Sequence, residues 1–180
     1  MGSPVWIQEK AHVSSFEPRL FKGAELAINL SPFTTNYVNI GKDYLAAGSY
    51  IDAKTAFDTA IGREPELFDA WLGRAYALEG LKRYQAAVES YDTAIQVSKS
   101  HKNSYYAYAG KGRSSLETQK FQDAYDACTV GIETYHQVKA ENTDELKNMY
   151  SVLADAADHL GLATEAADAR QMAEELRSKA

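Results

Sequence analysis

Residues 50–61 read Tyr50-Ile-Asp-Ala53-Lys-Thr-Ala56-Phe57-Asp-Thr-Ala60-Ile61, and residues 84–95 read Tyr84-Gln-Ala-Ala87-Val-Glu-Ser-Tyr91-Asp-Thr-Ala94-Ile95. Tyr50 and Tyr84, Ala53 and Ala87, Phe57 and Tyr91, and Ala60 and Ala94 are all 34 residues apart. Within each stretch the apolar residues recur at helical spacing (Ala53, Ala56, Phe57, Ala60, Ile61), which places them on one face of a helix. Such a face cannot be buried by one helix pair alone. A copy stacked on the next closes the core.

The same offset extends upstream. Tyr37-Val-Asn-Ile-Gly-Lys-Asp-Tyr44 aligns with Trp71-Leu-Gly-Arg-Ala-Tyr-Ala-Leu78, so each repeat is two helices. A third copy runs through Tyr108, Gly112, Phe121, Ala124, Cys128 and Gly131, with 37 residues between Ala87 and Ala124; the three extra residues fall around Lys99–Asn103. A degenerate fourth copy keeps Tyr150, Ala154, Gly161, Ala166 and Ala173, 42 residues separating Ala124 from Ala166, so the third pair is expected to be longer. Gly48-Ser49 breaks the first hairpin, Pro65 stops its second helix, and Asn142-Thr-Asp-Glu145 reads as a capping box. The spacing predicts helices over roughly 35–47, 50–63, 67–80, 84–98, 103–118, 121–138, 143–160 and 163–177. An amphipathic segment, 19–33, adds a further helix before or at Pro32. Residues 1–18, opening on Met1-Gly2-Ser3-Pro4, read as a tag remnant and a flexible or extended segment.

The pattern over residues 34–180 resembles the tetratricopeptide repeat family, whose period is 34 residues. It is carried most fully by Gly41, Tyr44, Gly48, Ala53, Phe57, Ala60 and Pro65, then by Trp71, Ala75, Ala87, Tyr91 and Ala94. The resemblance implies an all-α fold, a right-handed superhelix of antiparallel helix pairs (an α-solenoid) with three clear repeats and a degenerate fourth. It also implies a groove lined by the first helix of each pair, in which a peptide or partner protein lies. Members that grip a chaperone's C-terminal carboxylate use Lys, Asn and Arg at set groove positions. Here those positions hold Val38, Lys42, Gly73, Tyr106 and Gly110, so that clamp is absent and an interior peptide segment, a helix or a folded partner is expected.

With Tyr37, Ile40, Gly41 and Tyr44 assigned to the packed side, the groove-facing residues of the first repeat are Val38, Asn39, Lys42 and Leu45. The repeat offset then gives Leu72, Tyr76 and Glu79, next Tyr106, Ala109, Arg113 and Leu116, and in the fourth copy Asn148, Val152, Asp155 and His159. This is an apolar and aromatic floor with two cations, Lys42 and Arg113. Tyrosine and arginine are residue types in which interfaces concentrate binding energy.

Composition narrows the function. Nineteen Lys and Arg face 25 Asp and Glu, a net charge of −6, which argues against nucleic acid as a partner. No stretch of about 18 apolar residues suggests membrane insertion. A single cysteine, Cys128, forbids an internal disulfide and fits a reducing, cytoplasmic setting. His12, His101, His136 and His159 are scattered without metal-ligand spacing, no phosphate-binding glycine loop occurs, and no nucleophile–base constellation emerges. The expectation is a non-catalytic scaffold without metal or cofactor. Two further readings are self-association, with Leu20, Phe21, Ala24, Ile28 and Leu30 covering an open end of the stack, and an interaction module of a larger membrane-anchored or secretion-related assembly.

Overall fold

The computed structural model describes residues 23–98 and 101–178, with side chains from Thr34 onward. Among them the secondary structure is entirely helical: α1 (Gly23–Ala46), α2 (Tyr50–Arg63), α3 (Phe68–Gly80), α4 (Tyr84–Val97), α5 (Ser104–Glu117), α6 (Phe121–Gln137), α7 (Thr143–Leu160) and α8 (Ala163–Ser178). Seven of these lie within a residue of the expected bounds. The first differs: α1 continues through Pro32, so the segment expected as a separate N-terminal helix and the first repeat helix are one element from Gly23 on. Leu20 and Phe21 lie outside the described residues, as do the side chains of Ala24, Ile28 and Leu30. The chain divides into two compact units, 1–31 and 32–180, and the second carries the repeats.

Four hairpins build this second unit, each closed by the same left-handed turn. Gly48 (φ 72°), Lys82 (φ 58°), Gln119 (φ 59°) and Gly161 (φ 77°) occupy equivalent places after α1, α3, α5 and α7. The next residue's N–H reaches back to the same carbonyl each time: Ser49 to Tyr44, Arg83 to Leu78, Lys120 to Ser115 and Leu162 to Ala157. This geometry satisfies carbonyls that a helix end leaves open. At Lys82 and Gln119 it is held at a steric cost of about 1 kcal/mol each. Between hairpins, Glu64 leaves α2 in an extended conformation (φ −132°, ψ 86°), as a residue before proline must. The Pro65 carbonyl is then capped by Trp71 Nε1 at 2.7 Å.

The hairpins are held in register by pairing large side chains with absent ones. Phe57, fully buried on α2, lies between Gly41 of its own hairpin and Gly73 of the next; a Cβ at either would stand 2.7 or 2.2 Å from the ring. One repeat later Tyr91 takes the place of Phe57 and Gly110 that of Gly73, with a Cβ there 2.1 Å from the phenol ring. In the third repeat the pair inverts. The large residue becomes Cys128 and the glycine becomes Val152, both buried, so the volume crosses from one helix to the other while the space stays filled. Cys128 is thus a packing residue, and burial pushes its thiol up to about 12.

The stack curves. Helices α3 and α5 touch, as do α5 and α7, whereas among the described residues α2, α4, α6 and α8 make no contact with one another. The first helices of the hairpins therefore crowd together on the inner side and the second helices splay on the outer.

Candidate functional site

The inner side carries a depression of about 320 Å³ to which α1, α3 and α5 all contribute. Its floor and walls are Leu45, Leu72, Tyr76 and Tyr106, with Lys42 and Asp69 at one edge. Each apolar residue here is half-buried because it is also the inner margin of a core. Leu45 backs onto the Phe57 cluster, Leu72 and Tyr76 onto the Tyr91 cluster, and Tyr106 onto the cluster around Met149. The floor is therefore rigidly supported.

Five sequence-predicted residues, Lys42, Leu45, Leu72, Tyr76 and Tyr106, come together at this depression. Others belong elsewhere. Val38 is buried and packs with Ala53, Phe57 and Ala60, since it shares a helix stripe with Gly41 and Leu45. Tyr44, assigned to the packed side, is instead 40% exposed. Ala109 is buried among Tyr105, Tyr135, Leu146 and Met149. Asn39 is exposed on α1 and does not line the depression. Asp69, Gly73 and Asn103 also line it, outside the predicted set; Asp69 and Gly73 lie on α3 beside Leu72 and Tyr76, and Asn103 is the N-cap position of α5.

Neither cation is free. Lys42 Nζ pairs with Asp69 at 3.0 Å across α1 and α3. Arg113 sits between three helices: its Nε donates to Glu79 Oε1 of α3 at 3.0 Å and its Nη1 to Glu145 Oε1 of α7 at 2.7 Å. Tyr91 donates to the other Glu79 oxygen at 2.6 Å. Burial works against the guanidinium charge, but Glu79 and then Glu145 more than offset it and hold Arg113 above its usual range. Two glutamates on one arginine make Arg113 a strut between repeats, with no charge left to hold a ligand carboxylate. Burial, reinforced by Glu145, also pushes the Tyr76 phenol well above its usual value, so that hydroxyl stays neutral.

The α7 cap joins the same network. Asn142 Oδ1 accepts from the Glu145 N–H at 3.2 Å, and Asn142 Nδ2 donates to the Tyr106 hydroxyl at 2.9 Å. The expected capping box is thus half made, because the Glu145 carboxylate turns to Arg113 instead of back to the cap. The repeat offset is the signal that could have revealed this: Arg113 is the equivalent of Tyr76, and Glu79 lies three residues beyond Tyr76 on the adjacent helix.

Among the described residues no group of three or more His, Cys, Asp or Glu side chains is arranged to hold a metal, and no helix is long and apolar enough to cross a membrane. His101 stacks on Phe68 and His159 on Phe121. His12 lies outside the described residues.

The geometry of paired helices, a 34-residue period and an inner row of first helices defines a class, the tetratricopeptide-repeat solenoids. The tetratricopeptide repeat family model matches residues 38–101, and that segment carries tetratricopeptide repeats. Its fold is shared with the TPR2B domain of yeast Sti1 in its pHsp70 complex (18% identity, 69% of this chain and 96% of that one, TM-score 0.63). It is shared also with MamA 41-end from Desulfovibrio magneticus RS-1 (21%, 82% and 77%, TM-score 0.67) and with the first TPR domain of human RPAP3 (20%, 69% and 95%, TM-score 0.57). No curated protein matches in sequence. The shared fold is an α-helical repeat solenoid.

Proposed function

We propose that the chain is a non-catalytic scaffold that holds a peptide segment of a partner protein against the inner face of its first three hairpins. The observation that carries this reading is the half-buried apolar floor of Leu45, Leu72, Tyr76 and Tyr106, contributed by three different repeats. A solenoid has no need to leave four large apolar side chains open on its inner wall, and aromatic residues in a supported pocket are the usual anchors of an interface. The yeast Sti1 domain with the same fold forms a complex with pHsp70, which is consistent with a polypeptide ligand. The ligand differs from a C-terminal carboxylate, because Lys42 and Arg113 are both occupied by acidic neighbours.

The test is selection of a random dodecapeptide display library on the intact immobilised chain. Binders should be enriched, lose affinity on Leu72→Ser or Leu45→Ser, and keep it on Ile51→Ser on α2, a residue 70% exposed. Far-UV circular dichroism and thermal melting identify variants that retain the fold. Failure to enrich binders, or binders indifferent to both inner substitutions in folded protein, would overturn the proposal.

A further inference from the structure

The inner row changes character along its length. At the C-terminal ends of α5 and α7 lies a second depression, of about 360 Å³, with Leu116, Glu117, Phe121, Asp155, Asp158 and His159 among its lining residues. Three of these are acidic and no lysine or arginine lines it. Asp158 pairs with Arg170 of α8, but among the described residues Glu117 and Asp155 make no ion pair. Phe121 and His159 stack with centroids 4.0 Å apart and planes 7° from parallel, giving a flat ring platform beside the carboxylates.

Helix α5 contributes to both depressions, Tyr106 to the apolar one and Leu116 and Glu117 to this one. Asp155 occupies in the fourth repeat the position that Lys42, Tyr76 and Arg113 hold in the first three, and Asp158 the position of Leu45 and Leu116. On α5, Glu117 is eleven residues from Tyr106, three turns along the same face at 3.6 residues per turn. The distance along the helix is about 16 Å, which an extended chain covers in about five residues at ~3.3 Å each.

Resting on the groove reading, we propose that the partner segment is an extended peptide with an apolar side chain seated between Leu72 and Tyr106 and a lysine or arginine about five positions away, held by Glu117 and Asp155. The unpaired carboxylates are the charge complement of that cation, and the chain's net charge of −6 steers a basic segment toward it. An exposed charge pair contributes roughly a two- to fivefold gain in affinity, so the two carboxylates together account for about tenfold.

The experiment extends the same dodecapeptide selection to the isosteric double variant Glu117→Gln/Asp155→Asn. Peptides enriched on the wild-type chain should carry Lys or Arg about five positions from a large apolar residue. The consensus peptide, measured by fluorescence anisotropy, should lose about tenfold on the double variant, whereas its Lys/Arg→Gln analogue should bind both proteins alike. Binders that require Leu72 but are neutral or acidic would overturn this inference and leave the groove reading standing. Basic binders unaffected by Glu117→Gln/Asp155→Asn would also overturn it. Absence of any Leu72-dependent binder would remove the groove reading itself.

Discussion

Replacing Gly73 by alanine puts one methyl group where the structure has no room for it. The added Cβ would stand 2.2 Å from Phe57 Cζ and 2.3 Å from Cε1. The ring cannot retreat, because Gly41 faces it from the other side at a spacing where even a Cβ would be 2.7 Å away. Overpacking of this kind costs typically up to about 3 kcal/mol. Alanine is favoured over glycine in a helix by about 1 kcal/mol, so the net loss is about 2 kcal/mol. For a chain of this size that lowers Tm by about 4–8 °C. The control is Gly62→Ala, on α2 with nothing within 4 Å of the new methyl; it gains the propensity alone and should raise Tm by about 2–4 °C. Thermal melts followed by far-UV circular dichroism measure both. A second arm adds Phe57→Leu to Gly73→Ala, and the two should couple by at least about 1 kcal/mol because the smaller side chain relieves the overlap. Gly73→Ala as stable as wild type, with Gly62→Ala behaving as stated, would refute the idea that the glycine–aromatic pair sets the register of the hairpins.

The inverted pair in the third repeat should be convertible: Cys128→Tyr alone destabilises by about 1–3 kcal/mol, and adding Val152→Gly recovers part of the loss with a coupling of about 1–2 kcal/mol in denaturant unfolding. With its thiol fully buried and pushed up to about 12, Cys128 should resist iodoacetamide in the native chain at pH 8 and react readily in 6 M guanidinium. Because the neutral thiol persists until the pH nears 12, raising the pH from 7 to 9 should barely change native labelling, and mass spectrometry reads this directly. Asn142→Ala removes both the α7 cap and the bond to Tyr106. It should cost about 1–2 kcal/mol by urea unfolding.

Most of the architecture is legible because the repeat is written in residue sizes. Ala53, Phe57 and Ala60 return as Ala87, Tyr91 and Ala94, and a helix pair that must stack on its copy leaves few choices for where the turns fall. The hairpin turns at Lys82 and Gln119 show what composition hides. Neither is a glycine, yet both adopt the left-handed conformation of Gly48, and only the repeat offset points to them. The groove is legible in part. Leu72 and Tyr76 lie 34 residues beyond Val38 and Lys42, and Leu45 and Tyr106 share helix faces with the predicted residues, but Val38 itself is buried, because Tyr44 reads as a core aromatic when its ring lies half in solvent. Rotating the stripe to Val38, Gly41 and Leu45 corrects the face. Arg113 illustrates the remaining gap. As a lone basic residue it reads as a hook for a ligand. Its role as a strut depends on Glu79 and Glu145, 34 and 32 residues away in the chain, and on the α3–α5–α7 contacts that bring them together.

The most direct test of peptide binding on the inner face is titration of the ¹⁵N-labelled chain with a selected dodecapeptide, followed by amide chemical shifts. The largest changes should fall on α1, α3 and α5 around Leu45, Leu72, Tyr76 and Tyr106. Changes concentrated instead on the outer helices, around Ile51 of α2 and Val130 of α6, would contradict it.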